Sequence, residues 1–361
     1  MAAPVRHALH RKEGWFAFCA RDPEPAPAPL SPAEFDRLPA DEQEAVVARG
    51  RRQNASLGPY RLGSAKEIGN QLNALVKAND RMPGDRIRRA AAIDGEPTLG
   101  KTTILQQFGR VYHRRKVAEY GTETEAGDEF IPVCCITLPR DTTIKALNGQ
   151  LIDFFGHTYP LKSTASDLSR RVIEVMHLCA TTLVCIDDLH YMSPRELAGR
   201  QLNDHLKHLM NEVPATFVFA GVGLEHEGIF REGRAVSEAR YAQLSHRLRR
   251  CPVQRMEITT AEGKREWRSL LRSVERDVRV LGPVQLSDRE AATYLHRRTD
   301  GSIGAVVDLI NLASDYALDR DLKNPTRAQG LTTPTLDAVR LSHGAEQRET
   351  RATRSRRRRA A

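Results

Sequence analysis

Apolar residues recur along this chain in two rhythms. The first is a short unbroken run closed by polar or turn residues, the mark of a strand buried on both faces. Ala91 to Ile93, "FIPVCCITL" and "TLVCIDD" have this form, and "ATFVFAGVG" adds another. The second is a helical period. In "SAKEIGNQLNALVKAND", Ile68, Leu72, Leu75 and Val76 fall on one face. "SPAE" places Ser31 as a helix cap, Pro32 at the first helical position and Glu34 as the capping-box partner. Helices are expected over 31–53 with a break at Pro39. A capped helix is expected from Ser193, with Glu196 closing its box. Beyond about residue 260 the pattern is helical only, and "TDGSIGAVVDLINLASDYAL" opens the last convincing helix. Strands alternating with helices predict a parallel sheet wound with helices.

That layout defines four expected segments. Residues 1–60 form an N-terminal extension with helices and the Pro/Ala linker "DPEPAPAPL". Residues 61–260 form an α/β domain, 261–320 a helical lid, and 321–361 a basic tail. The tail changes the charge picture. The chain has 55 Lys+Arg against 46 Asp+Glu, a net charge of +9. From Glu346 onward there are seven Arg and two Glu, a net +5, which leaves +4 for the rest. Such a tail is either a solvated, disordered segment or an arm for nucleic-acid phosphates. Cys19, Cys134, Cys135, Cys179, Cys185 and Cys251 form no C-x-x-C pair and sit largely in apolar runs. They read as buried reduced thiols. No apolar run reaches eighteen residues, so a soluble, cytoplasmic chain without membrane partners is expected.

Between the first apolar run and the first long helix lies "AAIDGEPTLGKTTILQQFG". It contains G-x-x-x-x-G-K-T in the strand–turn–helix context that a phosphate loop requires. Gly95, Glu96, Pro97, Thr98, Leu99, Gly100, Lys101, Thr102 and Thr103 are the expected nucleotide contacts. The two glycines let backbone N–H groups turn inward, and the helix N-terminus adds positive potential. Lys101 is placed to reach the β- and γ-phosphates of ATP, and Thr102 offers a hydroxyl to Mg²⁺. Downstream, Asp187 ends an apolar run and is the second expected Mg²⁺ ligand. Asp188 follows it as the group that orients the attacking water. An acidic pair at this place can also be a plain cap or turn. His190 suits a polar core or cap position better than a catalytic base. Gly221-Val222-Gly223 offers no polar sensor. Among the arginines of "SHRLRRCPVQRMEI", Arg247 is the candidate finger toward a neighbouring subunit, and with Arg249 and Arg250 it is expected just before a strand-like segment; an ordinary basic surface is the other reading.

With these parts in order, the chain resembles the AAA+ ATPases. More narrowly, it is similar to the TniB/TnsC-like transposition ATP-binding proteins. The carriers are "ANDRMPGDRIRRAAAIDGEPTLGKTTIL", "LVCIDDLHYM", "QLNDHLKHLMNEVPATFVFAGVG", "LSHRLRRCPVQRMEI" and "DGSIGAVVDLINLA". Asp188 stands where most such ATPases have Glu, and the usual lid arginine is absent after Gly304. The resemblance implies a P-loop AAA+ domain followed by a helical lid. It implies ATP and Mg²⁺ as cofactors and a homo-oligomeric ring or filament on double-stranded DNA. It also implies target-site selection and recruitment of a DDE-type transposase, with slow or partner-stimulated ATP hydrolysis. A helicase loader or replication initiator, and a signalling or defence switch that needs no DNA, are the alternatives.

Overall fold

The computed structural model describes residues 8–22, 31–60, 63–84, 86–139, 142–189, 197–224 and 248–341, with backbone alone at 197–200. Arg247, His190, Ser193, Glu196 and the tail from Glu346 therefore lie outside the described residues. The chain divides into two compact units. The first comprises residues 1–22, 64–97 and 101–253. The second comprises 23–63, 98–100 and 254–361.

The first unit is built on a five-stranded, wholly parallel sheet in the order β2-β3-β4-β1-β5. Its strands are β1 (Ala90–Asp94), β2 (Val133–Thr137), β3 (Leu183–Asp187), β4 (Thr216–Gly221) and β5 (Leu248–Pro252). The apolar runs became strands because no polar position marks a solvent face. Every residue of β1, β3 and β4 is buried. Parallel neighbours cannot be joined by a hairpin, and the connections from β1 to β2, β2 to β3 and β3 to β4 carry helices. These are α5 (Lys101–Tyr120), α6 (Ile144–Phe154), α7 (Ala165–Leu178) and α8 (Leu197–Glu212). Preceding β1 is α4 (Ser64–Asp80), which buries Ile68, Leu72, Leu75 and Val76 together, as their spacing requires. Asn79 near its end donates to the Arg89 carbonyl and to Thr216 Oγ1, at 2.7 and 2.8 Å. Those bonds tie the helix to the start of the sheet.

One helix is not marked by the sequence pattern. Lys12–Ala20 forms α1 in the first unit. Its Trp15 is fully buried, and the indole N–H donates to His113 Nδ1 on α5 at 3.3 Å. Burial pushes that histidine down to about 4, so it stays neutral and can accept. All six cysteines are free and buried.

The second unit is helical. α2 (Pro32–Asp36) and α3 (Ala40–Ala55) are separated at Pro39, and Ser31 and Glu34 close the expected capping box. α9 (Ala261–Asp277), α10 (Arg289–Thr299), α11 (Ile303–Asp321) and α12 (Thr333–Asp337) follow. Their core gathers Trp267, Leu270, Leu271, Leu295, Val306 and Leu309. The Trp267 indole donates to the Ala292 carbonyl at 2.8 Å, so its one polar atom is satisfied inside. Among the described residues, no helix is long and apolar enough to cross a membrane.

Candidate functional site

Strand register brings the two acidic runs to one end of the sheet. Ala92 and Ile186 both pair with Phe219 of β4, so they share a row. Ile93 and Asp187 occupy the next row, separated by the width of one intervening strand, about 10 Å. This is the C-terminal edge, where open parallel sheets receive ligands.

From Asp94 the chain enters the loop. The Asp94 carbonyl accepts from Val253 N at 2.7 Å, which extends the β1–β5 pairing one step. A Cβ on Gly95 would meet the Val253 carbonyl oxygen at 2.6 Å, so only glycine fits. Gly100 has a different reason. Its surroundings are open, but its φ is +85°. Thr98 also adopts a positive φ, +67°, at the tip. Glu96, Pro97 and Thr98 are exposed, whereas Leu99 is buried. Helix α5 then starts at Lys101 itself, with Thr102 and Thr103 exposed in its first turn.

Lys101 is 8% exposed. Its ammonium donates to the Glu96 carbonyl at 2.7 Å, across the mouth of the loop. Burial lowers its pKa, while Asp187, Asp94, Asp188 and Glu96 oppose that shift. Asp187 is 4% exposed, and burial raises its pKa. The Thr102 hydroxyl and the Asp188 backbone amide, the latter at 2.9 Å, donate to its carboxylate and favour the charged form. Asp188, directly after β3, adopts a positive φ of +59°. The sheet thus brings Lys101, Thr102, Asp187 and Asp188 into one electrostatic cluster.

Asp94 was not a candidate from sequence. It is 5% exposed, accepts from Leu224 N at 3.0 Å and lies 3.7 Å from Arg250. Its carboxylate pins the loop after β4 to the end of β1. The sequence hint was an acid closing an apolar run directly before Gly95. Arg249 and Arg250 differ from expectation. They lie within edge strand β5, opposite Ala91 and Ala92, instead of ahead of a strand. Both are exposed, and an edge strand tolerates such charge. Thr216, too early in its strand to sense a ligand at the sheet's far end, accepts from Asn79.

The "GSIG" segment contacts the loop tip, which belongs with it to the second unit. Ser302 caps α11 by accepting from Ala305 N, and its hydroxyl donates to the Thr98 carbonyl at 2.8 Å. Gly304 N donates to the same carbonyl at 3.1 Å. A Cβ on Gly304 would lie 2.4 Å from that oxygen. The segment that caps α11 thus also holds Thr98 in its left-handed conformation.

The residues present suit a phosphate chain with a divalent cation. The loop admits backbone at the two places where glycine is required, and Lys101 and Asp187 stand nearly dry on either side of Thr102. Among the described residues, no group of three or more His, Cys, Asp or Glu could hold a metal ion unaided.

A family model described as "Bacterial TniB protein" matches residues 60–258. Two solved structures are similar in fold. The Orc1 protein of Aeropyrum pernix in complex with DNA aligns at TM-score 0.56 and 12% identity, over 80% of this chain and 68% of that one. Cdc6p from Pyrobaculum aerophilum aligns at TM-score 0.51 and 15% identity, over 74% of this chain and 65% of that one. The chain thus spans about two-thirds of the length of each. These likenesses establish the fold, which is that of the AAA+ ATPases. No curated protein sequence matches the chain. The phosphate loop, both strand-end carboxylates and edge strand β5 all fall inside the matched segment, which is more than half of the chain, and the protein belongs to the bacterial TniB family.

Proposed function

We propose that the chain is an ATP-dependent, DNA-binding regulator of transposition that marks target DNA for a DDE-type transposase. The observation that carries this reading is the joining of Lys101, Thr102 and Asp187 at one sheet end in a chain of the TniB family. The backbone of residues 95–102 and the Lys101 ammonium would bind the β- and γ-phosphates. Thr102 and Asp187 would hold Mg²⁺, which when bound neutralises phosphate charge. Asp188 is one methylene shorter than glutamate, so it would orient water loosely and keep hydrolysis slow. Arg247, outside the described residues, remains the proposed finger toward a neighbouring subunit. The segments 61–260 and 261–320 would act as the nucleotide-binding domain and its lid.

A second reading has a specific observation behind it. The Orc1 and Cdc6p likenesses favour a replication initiator or helicase loader built on the same nucleotide site. A DNA-free signalling switch is the third.

The test is electron microscopy and anisotropy of the full chain with duplex DNA, Mg²⁺ and non-hydrolysable ATP. Rings or filaments that need nucleotide are expected, followed by nucleotide-dependent capture of a purified DDE transposase from the same genetic element. No duplex binding at low salt would overturn the regulator reading in favour of the signalling switch. Duplex assembly with capture of a helicase, and not the transposase, would move the chain to the initiator class.

A further inference from the structure

Helix α9 segregates its charges. Its buried side is Trp267, Leu270, Leu271 and Val274. At 100° per residue, Lys264, Arg265, Arg268, Arg272 and Arg276 share one 120° sector outside the buried one. All five are exposed. Lys264, Arg268, Arg272 and Arg276 stand at successive i, i+4 positions, a row inclined to the helix axis that rises about 18 Å along it. Glu262, Glu266 and Asp277 lie together on one flank. Glu275, the one acid inside the sector, is engaged elsewhere. Its carboxylate accepts from Leu286 N, Ser287 N and Ser287 Oγ at 2.6, 2.8 and 2.7 Å.

This arrangement differs from that on α7 and α8. On α7, Arg170 pairs with Asp167 and Arg171 with Glu174; on α8, Lys207 pairs with Asp204, each at i, i+3. On α9, Arg276 pairs with Asp277 at 3.1 Å and Arg268 donates to the Ser287 carbonyl at 3.0 Å. Among the described residues, Lys264, Arg265, Arg268 and Arg272 have no carboxylate partner. Like charges at i, i+4 repel and weaken a helix. The helix carries four acids that could have relieved this repulsion, yet among the described residues only Asp277 is used so, at the end of the row against Arg276. A bound polyanion would remove the repulsion.

The chemistry of the face selects the polyanion. No aromatic or large apolar side chain lies in the sector, so it lacks the buried anchors of a protein interface or the wedge of a membrane-surface helix. Four of the five cations are arginines, whose planar forks match phosphate oxygens. A duplex offers one phosphate per about 1.7 Å of axis, so a rigid row of this length meets phosphates wherever it lands.

We propose that the exposed face of α9 is a docking surface for the sugar–phosphate backbone of duplex DNA, independent of base sequence. This rests on the DNA-binding reading above. It assigns part of that binding to the lid, apart from the tail.

The test uses the full chain with ATP and Mg²⁺ and a fluorescent duplex, titrated across a salt series. The variant Lys264→Gln/Arg265→Gln/Arg268→Gln/Arg272→Gln is compared with wild type and with Glu262→Gln/Glu266→Gln on the flank. Loss of four phosphate contacts should flatten the slope of log affinity against log salt by about 3 to 4 units. Affinity at low salt should fall about a hundredfold. The flank variant should bind as tightly as wild type or tighter, and both variants should bind labelled ATP normally. Wild-type binding with an unchanged slope in the quadruple variant would overturn the proposal while leaving the DNA reading intact. Failure of wild type to bind duplex would remove both. Loss of ATP binding in the quadruple variant would show that its DNA defect comes from the fold, and overturn the assignment to this surface.

Discussion

Asp94 and Asp187, at the ends of β1 and β3, are almost out of water, and each carboxylate accepts from a backbone amide. Lys101 between them is equally dry and donates to the Glu96 carbonyl. Five cations on α9, by contrast, stand in solvent, mostly without a carboxylate partner among the described residues. Burial makes charge expensive, so each buried group needs a fixed partner and the geometry around it is rigid. Exposure makes charge cheap and mobile, so the α9 face can tolerate many arrangements of a partner but is screened by salt. The first region is suited to choosing one small ligand. The second is suited to holding a long, repetitive one.

The largest effect is expected from Lys101→Ala. If the loop depends on one dry cation, ATP affinity should fall at least about a hundredfold, since a charge-assisted bond to phosphate has no substitute there. Equilibrium binding of labelled ATP reads it. The α9 quadruple variant should show no such loss. An unchanged affinity in Lys101→Ala would end the assignment of the site.

Next in size is Gly304→Ala, which perturbs the loop tip without touching any charge. The new Cβ must displace the Thr98 carbonyl or the start of α11. A cost of about 1–3 kcal/mol is expected. Thermal melting should show a drop of several degrees, and ATP affinity should weaken. Ser302→Ala removes one of the two donors to the same carbonyl and should do less.

Asp187→Asn separates stability from ligand binding. Below the ordinary carboxyl value of 3.8 both folded and unfolded states are protonated, and the group contributes nothing. As pH rises through the raised folded value, the folded state must ionise a buried acid, and stability is lost. At pH 7 the Asn variant without ligand should therefore melt higher than wild type, with the difference vanishing near pH 4. It should lose most of the added stabilisation that Mg²⁺ and ATP give wild type. Asp188→Asn should keep that stabilisation and hydrolyse more slowly. Equal behaviour of the two variants in calorimetry would remove the division of labour between them.

The smallest effect is expected on α9. Neutralising the α9 row relieves like-charge i, i+4 pairs worth about 0.2–0.5 kcal/mol each. Without DNA, the quadruple variant should melt a degree or two higher at low salt, with no gain at high salt. A lower melting temperature would mean the row makes stabilising contacts within the fold.

Several features follow from residues near one another in the chain, and these were legible in the sequence. Unbroken apolar runs became β1 to β4. The Ser31–Glu34 box started α2, and the Ile68, Leu72, Leu75, Val76 stripe turned one face of α4 inward. The loop from Gly95 to Thr102 announced its strand–turn–helix context because turn chemistry and helix starts are decided within a few residues. Tertiary structure decided what depends on distant partners. It set β1 between β4 and β5 and put Asp187 one strand away from the loop. Arg249 and Arg250 came to lie on an edge strand, and Trp15 was buried on α5. Asp94 was assigned to Leu224, and the Thr98 carbonyl to Ser302 and Gly304, 204 and 206 residues along the chain. Periodicity records which face of an element leaves water. It carries no information about which other element meets that face, because that pairing is settled by packing and hydrogen bonding across the whole fold.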